Sequence, residues 1–366
     1  MDGPRRGRPV GVSMVAAADV LQQLDAYDTV IDARSEAEFA LDHLPGAVNW
    51  PTLDNQQRHD IGTIYKQVDA FEAKKRGAAL AAANIARHIE THVLTRPRGW
   101  KPLVYCWRGG KRSGALALVL DQIGFRVALV EGGYKAFRAA MVTDIARLAG
   151  DLEFRVVCGT TGSGKTRLLH ALAKRGAQTL DLEALACHRS SVLGAIPGQA
   201  QPSQKAFDTQ VWNALRRLRK SGPVFVESES RKVGNVVVPA SLMEVMRASP
   251  CINLVLDDQE RAGLLMEDYD YFVRDQAAFC ARLAVLTDIR GKSVVEGWIA
   301  AVQQGRIREV VLELLTMHYD PVYLQSMRRN FRHYAAAQVL HAPDRTQTAM
   351  EGLAGLLLNA QAAAEA

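Results

Sequence analysis

The chain has 366 residues, of which 48% are hydrophobic and 23% charged, enough apolar side chain for more than one core and a length that suits two domains. Thirteen prolines and 28 glycines are too few for a low-complexity or collagen-like chain, and no apolar run is long enough for a helical membrane span. The formal charge of +6, from 45 Lys+Arg against 39 Asp+Glu, permits a polyanionic partner without identifying one.

The elements in chain order begin after a basic stretch, Met1–Pro9, carrying Arg5, Arg6 and Arg8. Val10–Val20 is interrupted by Ser13 and Asp19 and lacks the apolar core of a signal peptide. Thr29–Ile31 reads as a strand and Glu36–Leu41 as a short helix. Pro102–Cys106 is a strand, Ser113–Ile123 a helix and Val127–Val130 another strand. Short strands separated by helices imply a parallel sheet. Tyr134–Leu152 has helical spacing and forms a connector. A second series of strands follows at Phe154–Cys158, Thr179–Leu182, Pro223–Glu227 and Ile252–Leu256, and after about Ser293 the pattern becomes wholly helical, ending in an Ala-rich tail. The expected plan is α/β: an N-terminal parallel-sheet domain over 1–140, a helical connector over 141–152, a second α/β domain over 153–292 and a helical C-terminal region over 293–366. No internal repeat of fixed period is visible.

The cysteines, at 106, 158, 187, 251 and 280, are scattered and contain no Cys-x-x-Cys pair, which argues against a disulfide framework and a structural zinc site. The reading is a reduced, cytoplasmic chain with no membrane partner. Cys106 is the informative one, in the string Cys106-Trp107-Arg108-Gly109-Gly110-Lys111-Arg112-Ser113. It ends a strand, and a helix begins about seven residues on. The two glycines let successive N–H groups curl inward as a nest for an anion. The helix N-terminus and the three cations favour a thiolate or a bound oxyanion at the same place. A buried structural cysteine beside a glycine turn is the alternative.

The second motif is Gly159-Thr160-Thr161-Gly162-Ser163-Gly164-Lys165-Thr166, directly after a strand and before a helix. It satisfies Gly-x4-Gly-Lys-Thr in the context that defines a phosphate-binding loop. Backbone N–H groups and Lys165 face a diphosphate, and the Thr166 hydroxyl is placed to meet magnesium. Asp181, Glu183 and Glu227 are the candidate acidic partners, for magnesium or a substrate hydroxyl, with helix capping the competing explanation. None forms the Asp-Glu pair usual in a hydrolysing ATPase. The loop could serve hydrolysis, or could stabilise a diphosphate that departs as a leaving group.

Arg216–Lys220 reads as a basic turn at a helix end. Arg231 stands at a strand end near the phosphate loop. Tyr319-Asp-Pro-Val-Tyr323 and Arg328-Arg329-Asn-Phe-Arg332-His-Tyr334 interleave cations with aromatics, as surfaces that grip phosphates and stack exposed bases do; a solvated helix face with buried aromatics is the alternative. His188-Arg189 lacks a second ligand pair at zinc spacing and is not read as a metal fragment.

Asp32-Ala-Arg34, Glu38-Phe39, His43–Pro51, the Cys106 loop and Glu131-Gly-Gly-Tyr-Lys135 together resemble the rhodanese domain over about residues 15–140. In that family the loop cysteine carries a transferable chalcogen. Here the loop runs from Cys106 to Arg112, one residue longer than in common thiosulfate-using members, which suits a tetrahedral, phosphate-like donor. With the phosphate loop, Asp181-Leu-Glu183, His188-Arg-Ser-Ser191, Gln201-Pro-Ser-Gln204, Glu227-Ser228-Glu-Ser-Arg231-Lys232 and His318-Tyr-Asp-Pro321, the chain resembles the bacterial tRNA 2-selenouridine synthase family over nearly its whole length. The resemblance implies replacement of sulfur by selenium in wobble-position 2-thiouridine of tRNA. Selenophosphate and geranyl diphosphate are the implied co-substrates, an S-geranyl-2-thiouridine the intermediate, and magnesium a candidate cofactor. A selenophosphate-supplying enzyme is a candidate partner. Cys106 is then the selenium acceptor or nucleophile, and His188, Arg189, Ser228, Arg231, Tyr319, Arg328, Arg329 and Arg332 are candidates for contacting diphosphate or tRNA. The alternative is an NTP-dependent kinase or ATPase with a regulatory rhodanese module.

Overall fold

A computed structural model describes residues 11–190 and 194–365; the basic stretch Met1–Pro9 and Ser191 lie outside the described residues. The chain divides into two compact units, one holding the residues up to Ile145 together with Pro202–Asn213, the other Ala146–Gln201 together with Ala214 onward.

The first unit is built on strands β1 (Ser13–Val15), β2 (Thr29–Asp32), β3 (Ala47–Asn49), β4 (Pro102–Tyr105) and β5 (Ala128–Val130) in the order β1-β5-β4-β2-β3. Every neighbouring pair is parallel. The central strand β4 is buried at all four positions, as a strand covered on both faces must be, which explains its uninterrupted apolar run. Ser35 and Glu38 close a capping box on the helix Glu36–Leu41, satisfying backbone donors that the first turn leaves unpaired. Between β3 and β4 stand two further helices, Asn55–Gln67 and Ala70–His92, whose first turns are capped by the Asp54 and Asp69 carboxylates. The core beside β4 joins Trp50, Ile85, Trp100, Leu116, Leu120 and Phe125 to Cys106.

A buried ionic contact fixes the turn after β2. Arg34, 1% exposed, grips Asp32, 0% exposed, through its Nε and Nη2 at 2.6–3.0 Å. Nη2 also donates to the Asp42 carbonyl at 2.6 Å, and the guanidinium lies 4.0 Å from the ring centroid of Tyr134. Tyr134 Oη and Thr209 Oγ1 in turn donate to the Asp42 carboxylate at 2.6 and 3.1 Å.

The second unit carries β6 (Phe154–Cys158), β7 (Gln178–Leu180), β8 (Val224–Glu227), a small antiparallel hairpin of β9 (Lys232–Val233) and β10 (Val236–Val237), then β11 (Cys251–Val255) and β12 (Gln338–His341). Its sheet runs β12-β11-β6-β8-β7, again wholly parallel. Strand β12 corrects the expectation of a wholly helical pattern after Ser293: four residues between helices form an edge strand whose one neighbour in the sheet is β11. The helix Gln347–Glu365 then returns to the sheet, burying Met350, Leu353, Ala354 and Leu357 against Leu168, Leu172 and Phe225. A separate bundle, Asp258–Tyr319, has its own core around Phe272, Phe279, Leu283, Trp298 and Leu314. Among the described residues no helix is long and apolar enough to cross a membrane.

The topology has one consequence for function. In each sheet the middle strand, β4 or β6, is followed directly by a glycine-rich turn, and the carboxyl ends of central strands are where open parallel sheets bind ligands. Replacing Arg34 by Met strands the Asp32 charge in the interior, so Arg34→Met should cost about 3–5 kcal/mol of stability, read as a lower urea midpoint for the first unit.

Candidate functional site

The first cradle forms where β4 gives way to the helix Lys111–Ile123. Cys106, 3% exposed, receives a hydrogen bond from Ser113 Oγ at 3.0 Å. Gly109 has φ +63°, and a Cβ there would stand 2.7 Å from the Val130 carbonyl. Gly133, at φ +58°, would place a Cβ 2.3 Å from the Cys106 carbonyl and 2.4 Å from Gly109 N. Two backbone segments therefore meet with no room for side chains, and Tyr134 N and Lys135 N close the contact by donating to the carbonyls of Cys106 and Trp107. Trp107 stacks on Tyr134 with centroids 5.4 Å apart, and the Lys205 ammonium lies 5.6 Å from the Trp107 ring. Gly110 caps the helix; Arg108 and Lys111 are exposed. Arg112 is bridged to Glu38 at 2.7 Å, and Arg58 reaches the same carboxylate at 3.1 Å. Burial opposes ionisation of Glu38, but Arg112 and Arg58 hold it below its ordinary value. Glu38 thus neutralises and positions Arg112, a contact the sequence reading did not foresee.

The second cradle spans Gly159–Gly164 between β6 and the helix Lys165–Lys174. Gly159, Gly162 and Gly164 all have positive φ. Gly162 approaches the Arg261 carbonyl, where a Cβ would lie at 3.1 Å, and Gly164 packs on Met350, where it would lie at 2.7 Å. The loop is tied from outside by Arg261, 3% exposed. Its guanidinium donates to the Thr161 carbonyl at 2.8 and 3.0 Å and pairs with Asp258 and Asp320 at 2.7 and 2.6 Å. Lys165 Nζ donates to the Gly159 carbonyl at 2.8 Å and lies 5.5 Å from the Tyr323 ring centroid. Gly159 N donates to Tyr323 Oη at 2.8 Å, and the Tyr323 and Ser228 hydroxyls are hydrogen-bonded to each other at 2.8 Å.

Beside this loop three carboxylates, Glu183, Glu227 and Glu229, bring ligand oxygens within 4.8 Å of one another. Thr166 Oγ1 lies 3.5 Å from Glu183 Oε2. Glu227 Oε1 is buried without a hydrogen-bond partner. An all-oxygen set with an unsatisfied buried acceptor fits a hard divalent cation such as magnesium. Burial, with mutual repulsion among the three, pushes Glu227 well above the usual carboxylate range, Lys165 opposing. Burial, helped by Glu183, pushes Glu229 up to about 8. Burial likewise raises Glu183, which Ser190 and Lys165 counteract.

Thr161, Gly162, Gly164, Lys165 and Thr166 line one cavity with Glu183, Arg189, Glu227 and Ser228, so most of the residues the sequence singled out in this unit converge. Glu229 and Arg261 were not foreseen, and Tyr323, read from the sequence as part of a base-stacking stretch, bonds the phosphate loop. Gly159, Thr160 and Ser163 complete the loop; Ser163 is fully buried and its hydroxyl lacks a partner. Asp181 caps the helix Leu182–Ala186 by accepting from Ala184 N at 2.8 Å and contacts His170. His188 is buried with Nδ1 unpartnered, and burial lowers its pKa. Arg189 hydrogen-bonds the Asp268 carbonyl and lies 4.8 Å from the Tyr269 ring centroid. Arg231 is exposed and is not among the residues lining this cavity. Arg328, Arg329 and Arg332 are exposed around the end of the helix Asp320–Asn330, while Tyr319 faces a neighbouring apolar cavity.

With this geometry in view, a family model described as a rhodanese-like domain matches residues 16–140, and one described as the tRNA 2-selenouridine synthase AAA domain matches 152–290. A protein of Nitrosomonas europaea named tRNA 2-selenouridine synthase is 37% identical over 259 residues, 69% of this chain and 66% of that protein. One of the same name from Nitrosomonas eutropha is 38% identical over 64% of this chain and 61% of its own length. The match therefore spans just under two thirds of these two relatives. A third, from Bdellovibrio bacteriovorus, is 30% identical over 82% of this chain and 89% of its own length.

The raised carboxylates set a pH dependence. The folded Glu229 keeps its proton up to about 8 whereas its ordinary value is 4.5, so the native state binds more protons than the unfolded chain across that window and stability falls as pH rises through it. In buffer with a chelator, Glu229→Gln should flatten that fall and raise Tm at pH 8 by about 2–4 °C for each kcal/mol of repulsion removed. An unchanged slope of Tm against pH would contradict the burial argument.

Proposed function

Because the chain belongs to the tRNA 2-selenouridine synthase family, we propose that it replaces the sulfur of a wobble-position 2-thiouridine in tRNA by selenium from selenophosphate, through an S-geranyl-2-thiouridine. In the first half-reaction the thiouridine sulfur attacks C1 of geranyl diphosphate; the C–S bond forms, diphosphate leaves, and one proton is released from the base. In the second, selenophosphate and water enter, and geranyl thiol and phosphate leave as C2 exchanges C–S for C–Se.

The reading rests chiefly on one observation: a buried thiol at the end of a central strand, with Ser113 Oγ 3.0 Å from its sulfur, at a glycine turn that leaves no room for a Cβ at Gly109. Such a cradle suits a tetrahedral chalcogen oxyanion. Cys106 takes the role of nucleophile: its sulfur bonds to the phosphorus of selenophosphate as the P–Se bond breaks, the selenide released goes to C2, and water then cleaves the S–P bond to give phosphate. Ser113 stabilises the sulfur anion, and Arg108 and Lys111 draw selenophosphate in. Arg112, already bridged to Glu38, shapes the loop more than it adds free charge.

In the other unit, Lys165 and the backbone N–H groups of Gly162–Thr166 receive the departing diphosphate, a preorganised acceptor of developing negative charge that needs no ATP hydrolysis. Arg189 adds a cation at the same cavity. Thr166, Glu183, Glu227 and Glu229 would hold magnesium, which neutralises diphosphate charge when bound. The exposed Arg328, Arg329 and Arg332 supply phosphate contacts to tRNA, with the exposed Arg231 a further candidate.

The two roles separate under mutation. Cys106→Ala should lose selenation at least about 100-fold while still forming geranylated thiouridine from geranyl diphosphate. Lys165→Ala should stop geranylation while still selenating tRNA supplied already geranylated. Mass analysis of tRNA nucleosides reads both. Equal loss of the two products in either variant contradicts the division, and wild-type selenation by Cys106→Ala removes the nucleophile role.

A further inference from the structure

Next to the phosphate loop lies a second cavity of different chemistry, a narrow slot of about 50 Å³. Its wall is apolar: Phe272, Phe279, Ile307, Val311, Leu314 and Leu315 are prominent on it. It opens inside the helical bundle Asp258–Tyr319, whose core would otherwise be expected to close to crystal-like density. One wall comes from Leu314–Tyr319, a π-helical turn, a geometry that recurs at binding sites.

The two cavities share Thr161, Leu265 and Tyr269 as common wall. On one side of those residues stand Lys165, Thr166, Arg189 and the carboxylate cluster; on the other side stand aliphatic and aromatic side chains. Arg261 pins the Thr161 carbonyl at the junction, and Arg189 lies against Tyr269. The pair of cavities is thus matched to an amphiphile with a multiply charged anionic head and a short hydrocarbon tail. An ordinary nucleoside triphosphate would present a polar sugar and base instead, and nothing on the apolar wall could satisfy them.

We infer that this cavity is the tail site of a C10 isoprenoid diphosphate, with the diphosphate on the Gly159–Thr166 loop and the hydrocarbon passing Thr161 and Tyr269 into the bundle. The inference rests on the proposed geranyl transfer and adds where the tail is held and what sets its length. Chain-length preference then follows from the cavity wall, since each carbon unit gained or lost changes apolar contact.

The test is equilibrium binding to the full chain of dimethylallyl (C5), geranyl (C10) and farnesyl (C15) diphosphates and of inorganic diphosphate, with tRNA geranylation measured in parallel. The wild-type chain should bind geranyl diphosphate at least tenfold more tightly than inorganic diphosphate. Val311→Phe, which fills the cavity, should weaken geranyl diphosphate at least tenfold and shift preference to C5, with inorganic diphosphate held within about twofold. Phe279→Leu, which enlarges it, should shift preference toward C15. These opposite shifts are not produced by a general loss of folding, and retained inorganic diphosphate binding controls for it. If wild-type protein geranylates tRNA but both variants keep the wild-type order and affinities, the tail site is wrong and the transfer reading stands. If wild-type protein neither geranylates tRNA nor prefers geranyl to inorganic diphosphate, the transfer reading itself fails, and the tail site with it.

Discussion

Both cradles depend on the same steric constraint: where the chain leaves a central parallel strand, its backbone comes so near to other backbone that a Cβ cannot be accommodated. Gly133 against Cys106 and Gly109 against Val130 impose this in the first unit. Gly159 against Leu254 and Gly162 against Arg261 impose it in the second. The close approach shuts side chains out of each turn, so both cradles are shaped by the path of the backbone before any charged side chain is considered. The cations and carboxylates then differentiate them. A thiol and a hydroxyl donor sit in one; a lysine facing three carboxylates sits in the other.

The second cradle has an unusual charge balance. Lys165 is adjacent to Glu183, Glu227 and Glu229, and their burial and repulsion keep protons on carboxyls that would normally be ionised at neutral pH. Such a group is costly to bury unless it has a task. A bound divalent cation would supply countercharge as the carboxyls ionise, and the unpartnered Glu227 oxygen is the side of the cluster with an unused acceptor. Arg261, bridging Asp258 and Asp320 to the Thr161 carbonyl, keeps the loop in register with the helices that enclose the apolar cavity. The phosphate loop and the helical bundle are mechanically one site.

Much of this was legible in the sequence, for a physical reason. The glycine spacing of Gly159–Thr166 and of the Cys106 loop is dictated by local backbone geometry, so a short string reports it faithfully. Strand β4 carries an uninterrupted apolar run because both faces are covered, and β6 does so after Arg155. What stayed hidden depends on distant segments. Arg261 meets Thr161 from 100 residues away and carries no local signature, and Tyr323, though part of a legible aromatic stretch, meets Gly159 from 164 away. Glu229 follows Glu227 by two residues but enters the cluster because the chain turns after β8, where Glu229 N bonds the Glu227 carbonyl. The polar helices Asn55–Gln67 and Ala70–His92 show only a narrow apolar stripe, and β12 is four residues long with a single pairing neighbour. The cavity is an absence of side-chain atoms, which no pattern of residues announces.

The central claim is that sulfur leaves the base only after it has been alkylated. The direct measurement is a time course of nucleoside masses from 2-thiouridine tRNA with the intact wild-type chain, selenophosphate being present throughout and geranyl diphosphate added part-way. The account predicts negligible 2-selenouridine before the addition, then transient S-geranyl-2-thiouridine preceding 2-selenouridine. Formation of 2-selenouridine at full rate before geranyl diphosphate is added would contradict it.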